Sequence, residues 1–109
     1  MTIDSYAEYD GLGLADLVRR KEVSPVELVE AAIEGIDKHN DILNAVVYRA
    51  DEQARCDAKG ELPEGPFQGV PFLIKDLAIQ VAGMPRTSGS HFLKDEAHTE
   101  DSELVKRYR

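Results

Sequence analysis

Lys75 ends a short apolar run, Val70-Pro71-Phe72-Leu73-Ile74, and that run follows a Gly- and Pro-rich turn, Gly65-Pro66-Phe67-Gln68-Gly69. A lysine so placed has two roles open to it. It can snorkel, with its stem on apolar surface and its ammonium in water. Alternatively it can be desolvated, which disfavours the charged form and makes a general base. The residues alone leave both open. Asp76, next in the chain, is either a solvated or turn-capping carboxylate or a group that fixes a nearby loop. Residues 83–90 hold the hydroxyls of Thr87, Ser88 and Ser90, which suit ordinary turn hydrogen bonds. His39, His91 and His98 lack partners at metal-ligand spacing, so no metal site is expected. Cys56 stands alone, without a reactive motif around it.

These residues need elements to position them. Val70, Phe72, Leu73 and Ile74 are bulky, and their run is too short for an ordinary helix. The expectation is a strand buried on both faces, with Pro71 near its start and Lys75 at its carboxyl end. In open α/β sheets that edge is where ligands collect. Upstream, Ser24-Pro25-Val26-Glu27 predicts a helix start: serine cap, proline in the first turn, glutamate closing a capping box. Val23 and Leu28 are spaced for a hydrophobic staple. Val26, Val29, Ile33 and Ile36 mark one helical face, and Asn40 is a candidate end.

Leu14, Leu17 and Val18 predict a shorter helix before it, preceded by an irregular stretch over residues 1–10. Asn44-Ala45-Val46-Val47-Tyr48 reads as a strand. Residues 49–59 read as a helix with Ala50, Ala54 and Ala58 on one side and Gly60 as its stop. Leu77-Ala78-Ile79-Gln80-Val81 suits a further strand segment, and Phe92 and Leu93 are expected to anchor the loop that holds the last two histidines. Thr99 is the expected cap of a last helix with Leu104, Val105 and Tyr108 on one face. The order helix, helix, strand, helix, strand predicts an α/β fold.

The block 65–76, followed by Ala82-Gly83-Met84-Pro85-Arg86-Thr87-Ser88-Gly89-Ser90, resembles the amidase signature family. Members carry a G-P-x-x-G-[IV]-P-x-x-x-K-D block and then a G-x-P-T-x-x-G-S-type block. Here Arg86 stands as one extra residue between Pro85 and Thr87. The resemblance implies a mixed β-sheet covered by helices and hydrolysis of amide bonds in small molecules. It implies a Ser–cis-Ser–Lys triad, in which the family's lysine falls on Lys75 as general base. Neither serine of the triad, nor the Gly/Ser-rich stretch that carries them, has a match in these residues. Residues 1–109 are therefore expected to be an incomplete, amino-terminal portion of an amidase domain, inactive alone. The same blocks also occur in glutamine-dependent amidotransferase subunits, and a non-catalytic α/β binding or assembly module is a further alternative. No cofactor is implied.

Composition is consistent with this. The chain has 109 residues, 42% hydrophobic and 31% charged, which suits one small globular segment. The net charge of -8 argues against nucleic acid or an anionic membrane surface as main partner. No apolar stretch is long enough to span a membrane. The single cysteine and a start that is neither basic nor apolar lead to an expected cytoplasmic setting.

Overall fold

In the computed structural model, which describes the backbone of residues 1–109 and every side chain but that of Ile3, Ser24 opens the longest helix. Its hydroxyl accepts the Glu27 backbone N–H at 3.3 Å, and the Glu27 carboxylate accepts the Ser24 backbone N–H at 2.8 Å. Pro25 lies in the first turn, where its missing N–H costs nothing. The Ser24 N–H, and then its hydroxyl, hold the Glu27 carboxyl below the usual carboxylate range. The helix, Pro25–Leu43 (α1), runs past the expected end at Asn40. It closes at Asn44, which adopts the left-handed conformation (φ 47°) that asparagine tolerates.

Two compact units make up the chain, Met1–Phe72 and Leu73–Arg109. In the first, a short helix, Ile3–Ala7 (α2), replaces the irregular start expected from the sequence, with Thr2 and Ser5 forming its capping box. Asp10 caps Gly11–Arg19 (α3), its carboxylate accepting the Gly13 N–H at 2.8 Å. Leu14 and Leu17 of α3 cluster with Val23 and Leu28, and Tyr6, Val18 and Val70 pack against them. The expected staple pair thus sits in the core itself, and Leu28 is fully buried. Burying one such leucine stabilises by roughly 1.5–3 kcal/mol.

Asp51–Lys59 (α4) packs on α1 without a fully buried residue of its own. Ala50, Ala54 and Ala58 are half-buried, the face that the spacing predicted. Arginines tie the rest. Arg55 reaches Glu30 on α1 at 2.7 and 2.9 Å, and Arg49 joins Asp37 to Asp51. Exposed pairs of this kind contribute about 0–1 kcal/mol each, so they orient α4 more than they stabilise it.

The expected α/β fold, a mixed β-sheet covered by helices, does not form. Among the described residues there is no sheet, only two isolated bridges, Ala82 with His98 and Pro85 with Ala97. Residues 70–75 are irregular, and Phe72 and Leu73, expected to be buried on both faces, are 68% and 67% exposed. β-branched and aromatic residues fit a pleated surface, but the pleat exists only where neighbouring strands accept and donate the ladder hydrogen bonds. No β-ladder pairs this segment among the described residues. The segment 44–48 fails for the same reason. There the Asn40 carboxamide stands in for a strand: its Oδ1 accepts the Val46 N–H at 2.8 Å and its Nδ2 donates to the Val46 carbonyl at 2.9 Å. The segment 77–81 is likewise without a ladder, and Ala78 lies at φ 62°.

The turn that begins the lysine block belongs to the first unit. Gln68 and Val70 donate backbone N–H groups to the Gly65 and Phe67 carbonyls. Gly69 has φ 83°, and a Cβ there would lie 3.0 Å from Pro25 Cγ and 3.1 Å from Val18 Cγ1. Both the dihedral and the contact require glycine. Gly69→Ala is expected to destabilise this unit by about 1–2 kcal/mol, read as a lower urea midpoint at unchanged slope.

In the second unit, Gly83 donates to the His98 carbonyl at 2.8 Å and Ser102 to the Gln80 carbonyl at 3.0 Å. The Asp101 carboxylate accepts the Ala82 N–H at 2.8 Å and Arg109 Nε at 2.7 Å. Ser102, not Thr99, caps the last helix, Glu103–Tyr108 (α5). Only Val105 of its expected apolar face is buried, together with Val81. Among the described residues no helix is long and apolar enough to cross a membrane.

Candidate functional site

Lys75 lies on irregular backbone at the start of the second unit. Its side chain is exposed, and among the described residues no hydrogen bond or ion pair holds its ammonium. Service as a base requires surroundings that exclude water. These described residues supply the lysine and its backbone, not the enclosure.

Asp76 is differently placed. Its carboxylate accepts both the hydroxyl and the backbone N–H of Thr87, and its carbonyl accepts the Ser88 N–H at 3.1 Å. The Thr87 hydroxyl, then the Thr87 N–H, hold the Asp76 carboxyl below the usual carboxylate range. Through these contacts Asp76 pins the 83–90 loop. Ser88 (φ 51°) and Gly89 (φ 75°) are both left-handed there. Gly89 donates to Thr87 Oγ1 at 3.2 Å and Ser90 to the Thr87 carbonyl at 2.8 Å, which closes the turn.

Sequence reasoning treated the loop hydroxyls as interchangeable turn formers and missed Thr87 as a tertiary partner. The available signal was an aspartate directly after the lysine and a threonine inside a Gly/Ser turn, but eleven residues separate them and spacing alone does not pair them. Ser90 behaves as a turn former: it caps the short 3-10 turn His91–Leu93, its Oγ accepting the Phe92 N–H at 3.3 Å, whereas Ser88 is exposed. Phe92 does not anchor the loop; its side chain is 99% exposed. His98 Nδ1 meets Gln80 Nε2 at 2.6 Å, and His39, His91 and Cys56 are exposed.

The Asp76 contacts carry a pH prediction. A carboxyl whose folded pKa is depressed contributes stability above its unfolded value, roughly 3.9, and that contribution is lost as pH falls through the folded value. Asp76→Asn is expected to lower the unfolding midpoint at pH 7, and the gap from the unchanged chain is expected to narrow on acidification below roughly pH 3.9. Parallel urea titrations at several pH values measure that gap.

A family model described as Amidase matches residues 27–109, from the first turn of α1 through the lysine block and the 83–90 loop. The chain belongs to the amidase family. It is 38% identical over 102 residues to the 6-aminohexanoate-cyclic-dimer hydrolases of Pseudomonas sp. and Paenarthrobacter ureafaciens, covering 92% of this chain and 20% of each relative. It is 39% identical over 102 residues to the lipoamidase of Enterococcus faecalis, covering 93% of this chain and 14% of that protein. The chain thus spans about a fifth or less of the length of these curated relatives. No solved structure matches it.

Proposed function

We propose that these 109 residues are the amino-terminal portion of an amidase domain, and that the full-length protein hydrolyses carbon–nitrogen bonds of small amides. The observation that carries the reading is the family match across both the lysine block and the 83–90 loop. In this reading Lys75 is the general base of a Ser–cis-Ser–Lys triad. Uncharged, it takes a proton from a bridging serine, which in turn takes one from the nucleophilic serine. The nucleophile attacks the amide carbonyl, backbone N–H groups stabilise the oxyanion, and the amine leaves after protonation. Water then hydrolyses the acyl-enzyme. The sequence of steps follows from chemistry: a serine hydroxyl is a weak nucleophile until a base takes its proton, and the tetrahedral intermediate needs its charge stabilised.

Relatives named for amide hydrolysis favour a stand-alone amidase over an amidotransferase subunit. The residues on hand provide only the base, so the 109-residue chain alone is expected to be inactive. The test is release of aniline from simple acyl anilides by purified full-length protein and by the 109-residue chain. Turnover by the former and none by the latter is expected. Turnover by the short chain, abolished by Lys75→Ala, sinks the triad assignment; no turnover by the full-length protein across a panel of aryl and alkyl amides sinks the amidase reading.

A further inference from the structure

Lys75 and Asp76 are consecutive, and their surroundings are opposite. The lysine is exposed and unheld among the described residues, while Asp76 receives three hydrogen bonds, two into its carboxylate and one at its carbonyl. A side chain without partners takes its direction from the peptide it hangs from. Here that peptide is shared with Asp76, whose main chain and side chain are both fixed to residues 87 and 88.

We propose that Asp76 is a positioning residue for Lys75: by gripping Thr87 it ties the lysine's backbone to the 83–90 loop and sets the point from which the ammonium reaches its proton partner. The inference rests on the reading of Lys75 as base. The chemistry of the grip is specific. Thr87 presents two donors, its N–H and its hydroxyl, and an ionised carboxylate can accept both, whereas a carboxamide has one acceptor oxygen. The Thr87 hydroxyl also accepts the Gly89 N–H at 3.2 Å, so the same oxygen holds Gly89 in its left-handed conformation. Removing that hydroxyl therefore loosens both the link to Asp76 and the turn beyond it. Misplacing a catalytic group by as little as ~1 Å can cost on the order of a hundredfold in rate.

The test is steady-state kinetics on the full-length protein with an acyl anilide. Thr87→Val, which keeps shape and removes the hydroxyl, is expected to lower kcat about tenfold with KM within about twofold, and Thr87→Ser to restore kcat to within about threefold. Asp76→Ala is expected to lower kcat about a hundredfold, and the Asp76→Ala/Thr87→Val double variant no further, since both remove one interaction. Circular dichroism at the assay temperature separates this from unfolding; if Asp76→Ala does not fold, the Thr87 pair carries the test.

Unchanged kcat in Thr87→Val, parallel changes in kcat and KM, or a loss equal to the unfolded fraction overturns the positioning role. Lys75→Ala keeps the two inferences apart. Activity that survives it overturns the base assignment and the positioning role with it. Activity lost in Lys75→Ala but kept in Thr87→Val overturns the positioning role alone.

Discussion

Lys75→Ala in the full-length protein is expected to lower kcat for amide hydrolysis by about four to six orders of magnitude, the range seen when one member of a catalytic triad is removed. KM should change by no more than a few-fold, because in the proposed triad the lysine handles a proton rather than binding the substrate. The size of the effect follows from what the base does. In the proposed triad a serine hydroxyl without its base retains its proton, and the adjacent Asp76 carboxylate is already engaged by Thr87. Lys75→Arg should be nearly as damaging, since a guanidinium does not give up its proton under assay conditions. Burst-phase measurement of acyl-enzyme formation would locate the loss in acylation. A Lys75→Ala protein with kcat within tenfold of the parent would place the base elsewhere in the protein.

Leu28→Ala is expected to cost about 3 kcal/mol of stability, within the roughly 2–5 kcal/mol typical of a leucine truncated in a packed core. Leu28 is 0% exposed and sits among Leu14, Leu17 and Val23, so its removal leaves a cavity bounded by two helices and the staple residue. Native domains are stable by only about 5–15 kcal/mol, so the loss would be a large share of the total. Ile42→Ala is the control. Ile42 is equally apolar, lies on the same helix and is 89% exposed, so its truncation should fall within about 0.5 kcal/mol. Urea unfolding followed by circular dichroism reads both. Equal effects at the two positions would show that the Leu28 cluster is not the core of the first unit.

The lysine block, the loop after it and the family resemblance were legible in the residue order, and so was most of the local helical structure. Ser24-Pro25-Val26-Glu27 specifies its own cap because every group involved lies within three residues. Gly60 announces a helix stop by the same locality. Helix limits were less legible where a neighbour outcompetes a terminator: Asn40, a candidate end, instead spends its carboxamide on Val46, and the helix continues to Leu43.

Tertiary structure alone decided three things. The apolar runs at 44–48 and 70–75 do not become strands, because a ladder depends on partners distant in sequence and none pairs with them among the described residues. Lys75 is exposed among the described residues, because exposure is set by what surrounds a side chain, not by its neighbours in the chain. Asp76 closes on Thr87, because a carboxylate finds its donors in space, and eleven intervening residues carry no periodicity to announce the meeting. Short-range hydrogen bonding and backbone preference are written residue by residue; pairing and burial exist only once the chain has folded back on itself.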